Sequence, residues 1–114
     1  LYVMTIRYKS ETFDLTTTNI TTILTCPADA TIIVKTIQAS HKTASNVDVD
    51  AFLQKSGGSD VEISHAQLNK GFTNMVSSSL NMEADDVLKI QAGSANDITG
   101  AVSYALLDRS QENG

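Results

Sequence analysis

Tryptophan is absent, proline and cysteine occur once each, and only three phenylalanines and three tyrosines are found among 114 residues. The single cysteine, Cys26, excludes an intrachain disulfide. With only two histidines, a zinc site would need carboxylates to complete it. Sugar and base recognition lean on aromatic faces, which are scarce here. Positive charge is short as well: eight Lys and Arg stand against 13 Asp and Glu, a net charge of −5. That sign argues against neutralisation of phosphates, so no nucleic-acid partner is expected. No apolar run approaches the roughly 20 residues that cross a bilayer, so no membrane partner is expected either. The start, Leu1-Tyr2-Val3-Met4-Thr5, lacks the charged opening of a secretory leader. Long Glu-, Lys-, Leu- and Ala-rich stretches of the kind that build helical bundles are missing too.

What remains is a β-type alphabet, rich in Thr and Ser and 41% apolar, at a length that suits one domain. Runs of alternating apolar and polar residues, broken by turn residues every 8 to 12 positions or so, cover most of the chain. Tyr2, Met4, Ile6 and Tyr8 share one face of the first run, with Thr5, Arg7 and Lys9 on the other. Ile20, Thr22, Leu24 and Cys26 share another, closed by a turn at Pro27. Thr31 to Ser40 is apolar on both faces at its start, as a central strand would be. Val47, Val49, Ala51 and Leu53 alternate up to a hairpin at Lys55-Ser56-Gly57-Gly58-Ser59-Asp60. Ala66 to Phe72 is the least regular stretch and reads as a loop or a helical turn. Leu88, Ile90 and Ala92 form a further strand, and Ile98, Gly100, Val102, Tyr104 and Leu106 line one side of the last.

The expected fold is all-β, an antiparallel β-sandwich, jelly-roll-like, of seven to eight strands. Residues 1–10 are expected to form an N-terminal strand or assembly arm, residues 11–108 the sandwich, and residues 109–114 a polar C-terminal tail. Val49 and Leu53 are expected in the core beside Leu88, Ile90, Val102 and Tyr104.

Candidate chemistry is thin. His41 and His65 each lie beside a serine, but nothing resembling a nucleophile elbow pins a triad, and both read as solvent-facing polar residues. Asp48 and Asp50 share a strand face and Asp85-Asp86 occupies a turn, without the loop spacing of a calcium site. Solvated carboxylates that protect a sheet from self-pairing are the expected role. Gly57-Gly58 precedes a strand and lacks a Gly-Lys-Ser/Thr ending, so it reads as a hairpin turn and not a phosphate loop. No catalytic residue, cofactor or metal site is expected.

Two stretches carry a resemblance. Thr21 to Ile37, reading TTILTCPADATIIVKTI, and Leu80 to Ile90, reading LNMEADDVLKI, are similar to the T-x-L-Y-T-V-P-A-G-x-x-A-I-V-K-S-I and L-x-L-x-A-G-D-x-L-x-V segments of certain virion proteins. These are small β-sandwich proteins of tailed bacteriophages, particularly cyanophage-like ones, and the likeness spans about residues 16–107. Asp29 and Asp85 stand where that family usually has a turn glycine, and aspartate also suits turns. The resemblance implies a non-enzymatic structural component of a virion, as a capsid decoration, collar or tail-associated protein. It implies a homo-oligomer, with a trimer preferred, and other virion proteins as partners. A carbohydrate- or receptor-binding module is the alternative on the same scaffold. Apolar residues left over once each sheet has one core face mark the expected interface: Tyr2, Met4, Ile6 and Tyr8 on the N-terminal segment, with Ile23, Ile32, Phe52 and Leu107.

Overall fold

The computed structural model describes residues 5–76 and 79–108, without the side chains at 43, 44, 70, 72, 74 and 76. Tyr2 and Met4 of the expected interface and the expected polar tail at 109–114 therefore lie outside the described residues. Seven strands follow one another: β1 (Thr5–Leu15), β2 (Thr21–Thr25), β3 (Ala30–Gln54), β4 (Asp60–Val76), β5 (Leu80–Met82), β6 (Val87–Ala92) and β7 (Ile98–Asp108). Every pairing between them is antiparallel.

Two of these strands serve two sheets each. Extended at about 3.3 Å per residue, a strand as long as β3 would span roughly 80 Å, more than the molecule's longest dimension of 55 Å. It bends where its register with β4 shifts, between His41 and Asn46. The first half of β3 pairs with β7 on one side and, on the other, with the end of β4 followed by β5. The second half pairs with β6 and with the start of β4. The result is an eight-stranded, jelly-roll-like sandwich of two four-stranded sheets. The first sheet runs β1, β7, first half of β3, then β4 end and β5; the second runs β2, β6, second half of β3, then β4 start.

The pattern of apolar residues explains the registers. Ile32 and Val34 are buried, and so are Ile37 and Ala39, a sequence that skips one position. The register with β7 shifts between Val34 and Thr36, which lets both pairs face inward. Beyond the bend Val47, Val49 and Ala51 continue inward and meet Leu88, Ile90 and Ala92 of β6. Ile98, Val102 and Tyr104 of β7 complete the core with Phe13 and Leu15 of β1. Leu53 is only half-buried and packs against the rim of this cluster.

Three expectations need correcting. Ala66 to Phe72 is neither loop nor helix: β4 runs straight through it, held by fourteen paired positions of β3. Ile32 was expected on an outer face but is 1% exposed in the chain's own core. Ile20, expected to share a face with Leu24 and Cys26, precedes β2 and is 41% exposed, whereas those two are buried.

β1 pairs with β7 without interruption from Thr5 opposite Asp108 to Leu15 opposite Ile98, so the strand runs across residue 10. Near its end Phe13 stands opposite Gly100, whose other neighbour is Ala39 of β3. A Cβ at Gly100 would lie 2.1 Å from the carbonyl oxygen of Gln38 and 2.3 Å from Cζ of Phe13. The glycine is required by close approach, with the phenylalanine ring filling the space above it. Asp85 adopts φ of 67°, the left-handed conformation in which a turn glycine is otherwise usual.

Candidate functional site

The outer face of the second sheet carries polar residues in register. Asp50 of β3 sits between Gln91 of β6 and His65 of β4, and Asp48 sits opposite Gln67. The Nδ1 of His65 donates to Oδ1 of Asp50, and Nε2 of Gln67 donates to Oδ1 of Asp48 at 3.3 Å. Glu62 joins them through a bulge. In a regular strand Glu62 and His65 would face opposite ways. Ile63, the extra residue where the register shifts between Ala51 and Phe52, brings both to the same face. Asp50, Glu62 and His65 then hold one donor atom each within 4.8 Å of one another.

The charges there act on one another. Hydrogen bonding to Asp50 and its charge raise the pKa of His65 against the opposing effect of burial, with lesser help from Asp48 and Glu62. The Asp50 carboxyl also raises the pKa of Glu62, chiefly through a hydrogen bond that needs a proton between the two acids, with burial adding to it. Beside this trio a shallow groove of about 340 Å³ is lined by Thr18, Asp48, Asp50, Gln91, Ala92 and Gly93. Gln91 spans its wall, donating from Nε2 to the Thr18 carbonyl at 3.0 Å.

A second carboxylate is structural. Asp86, expected as a solvated turn residue, is 1% exposed. Its Oδ2 accepts from the Glu83 amide at 2.8 Å and the Lys55 ammonium at 2.5 Å, and its Oδ1 accepts from the Ser56 amide at 3.2 Å. Burial alone would raise its pKa, but Lys55 and the two amides outweigh that and hold the carboxyl below its ordinary value. Asp86 thus fastens the β3–β4 hairpin to the turn before β6. The backbone of Cys26 bonds to the same turn, at 2.9 Å to the Asp86 carbonyl and 3.0 Å to the Asp85 amide.

His41 corrects another expectation, since it is 2% exposed rather than solvent-facing. Its Nε2 donates to the Ser45 carbonyl at 2.7 Å across the bend of β3, with the Ser45 hydroxyl 3.3 Å away. A ring so covered is a brace for the bend, out of reach of any substrate. The Sγ of Cys26 is buried 3.4 Å from the Ala30 carbonyl.

The outer face of the first sheet is different in kind. Ile6 lies opposite Leu107, which lies opposite Thr31; Tyr8 lies opposite Ala105, which lies opposite Ile33. Ile6 is 55% and Tyr8 79% exposed, while Leu107 and Ile33 are half-buried. These form one apolar patch across three strands. On the inner side of the same stretch, β1 carries Arg7, Lys9 and Glu11, all exposed at the open rim. Charges turned inward on an outermost strand discourage another strand from adding to it. The other expected interface residues are scattered: Ile23, at a bulge of β2, packs against the core, and Phe52 is half-buried on the second sheet. Among the described residues of the expected set, only Ile6 and Leu107 are direct neighbours, with Tyr8 one row away.

No protein-family model matches the chain, and no curated protein matches it in sequence. Solved structures match it in fold. A protein of Bacillus endospore appendages, described as disulfide-linked pili, gives a TM-score of 0.57 at 12% identity over 96% of this chain and 90% of that one. A protein of the acidic stable capsid of Helicobacter pylori bacteriophage KHP30 gives 0.58 at 12% identity over 96% and 95%. The Drosophila NLP core, described in terms of pentamer formation and histone binding, gives 0.50 at 10% identity over 86% and 97%. At these identities the likeness shows the fold, a small jelly roll that occurs in viral capsid proteins among others.

Proposed function

We propose that the chain is a non-enzymatic structural subunit of a virion, of the decoration, collar or tail-associated kind found in tailed phages, working as a homo-oligomer. The observation that carries this reading is the apolar patch of Ile6, Tyr8, Ile33 and Leu107 on the outer face of the first sheet. A sandwich that already has its own core gains nothing from such a patch unless a second surface covers it. The inward charges of β1 favour contact through the face of the sheet over extension of its edge. The phage capsid and the pilus that share this fold are both assemblies, which supports the reading. Linkage through Cys26, of the disulfide kind described for the pili, is closed off by its burial. A symmetric ring or trimer presents the same patch from each copy, and other virion proteins are the further partners.

The test is the oligomeric state of the whole chain by light scattering, beside the double variant Ile6→Ser, Tyr8→Ser. Both side chains are exposed, so the variant keeps its fold by circular dichroism and dissociates towards the monomer. A monomeric parent, or a variant with the parent's mass, overturns the reading.

A second reading, a carbohydrate- or receptor-binding module, is favoured by the groove at Asp48, Asp50 and Gln91, whose acids and amide match the hydrogen-bonding groups of a sugar. A glycan array that gives signal lost on Gln91→Ala would select it.

A further inference from the structure

We propose that Asp50, Glu62 and His65 form a binding site for a zinc ion on the outer face of the second sheet. Their three donor atoms, one imidazole nitrogen and two carboxylate oxygens, already lie within 4.8 Å of one another. Tetrahedral zinc, with bonds of about 2.0–2.2 Å, sets its donors roughly 3.3–3.6 Å apart. Side-chain rotation alone covers that difference, because Glu62 and His65 are exposed.

The convergence is built into the backbone. It exists only because the bulge at Ile63 turns Glu62 to the face on which Asp50 and His65 pair. Two carboxylates held this close repel each other. A divalent cation neutralises both acids at once. One nitrogen among the donors selects zinc over calcium, which takes six to eight oxygens. Three protein ligands leave at least one position open, and the groove beyond Asp50 gives room for water or an outside ligand there.

The groups facing the His65 ring are Asp50 and Asp48 on β3 and Glu62 on β4, three acids that favour a cation among them. From β6 the neutral Gln91 stands across Asp50, and Lys89 is taken up by Asp60 at 2.9 Å.

The experiment is calorimetric titration of the intact chain with zinc chloride, with His65→Ala, Glu62→Gln and the control Asp60→Asn. One site per chain is expected, weakened more than about tenfold by His65→Ala and by Glu62→Gln, and unchanged in Asp60→Asn. Imidazole resonances of His65 should shift on zinc addition. No binding, binding indifferent to the first two substitutions, or preference for calcium overturns the proposal. The patch around Tyr8 lies on the opposite face of the sandwich, so this result and the oligomeric state are read independently.

Discussion

Replacing Gly100 by alanine tests how tightly the first sheet is closed. The added methyl would meet the Gln38 carbonyl oxygen at 2.1 Å and the Phe13 ring at 2.3 and 2.7 Å, where carbon normally keeps about 3.5–4.0 Å. The ring can rotate away, but the carbonyl belongs to β3, and moving it pulls β3 from β7 along the ladder that joins them. Removing a glycine from a strand favours folding by about 0.4–1 kcal/mol through the unfolded chain. Overpacking opposes this by about 1–3 kcal/mol, and each ladder bond lost adds about 0.5–1.5 kcal/mol. The net expectation is destabilisation of about 2–4 kcal/mol, a fall in Tm of roughly 10–20 °C at this size. Urea unfolding followed by circular dichroism reads it directly. Adding Phe13→Leu separates the two obstacles, because it removes the ring and leaves the carbonyl, and it should restore only part of the loss. A Gly100→Ala chain as stable as the parent, or full rescue by Phe13→Leu, would refute the reasoning.

Asp86→Ala should cost about 1–3 kcal/mol, since it removes the buried acceptor of the Glu83 and Ser56 amides, while the half-exposed Lys55 keeps its pair with Glu83 at 2.9 Å. The pKa of Asp86 is depressed on folding, so the unfolded chain takes up its proton first. Its stabilisation is then full above the ordinary carboxylate pKa and is lost as pH falls through the folded value. Stability measured against pH should lose part of its acid limb in Asp86→Asn. Leu88→Ala, at a position 0% exposed, should cost about 2–5 kcal/mol. Leu53→Ala should cost clearly less, because Leu53 is half-buried at the rim, and equal losses in urea unfolding would contradict the packing described.

Strand periodicity made much of this fold legible. Leu88, Ile90 and Ala92 alternate with Lys89 and Gln91, and that contrast alone assigns the inner and outer faces of β6. The Lys55 to Asp60 turn was equally readable, with Gly57 at φ of 75° where a hairpin demands it. What could not be read is what depends on distant chain. Ala66 to Phe72 lacks alternation of its own, and it is the long ladder to β3 that makes it strand. His41 and Asp86 look like surface residues in any local window. Their burial follows from the bend at Ser45 and the meeting of two turns. The approach of Glu62 to Asp50 and His65 was hidden for the same reason, since a bulge shifts facing by one residue and composition does not announce it. The skip from Val34 to Ile37 was the one bulge with a sequence signal: two inward pairs out of phase.

The pairing of Thr5 with Asp108 also fixes how the domain answers to a pull. Force applied at the first residue of β1 and the last of β7 loads their ladder one rung at a time, beginning at that pair and passing next to Ile6 and Leu107. A ladder opened in this way parts like a zipper, at far lower tension than one sheared along its length. Stress carried end to end would peel β1 away and break up the patch formed by Ile6, Tyr8 and Leu107. Stress that enters through the sheet faces meets β3 instead, which is stitched into both sheets. As a mechanical element the domain is weak along its chain and strong across its faces.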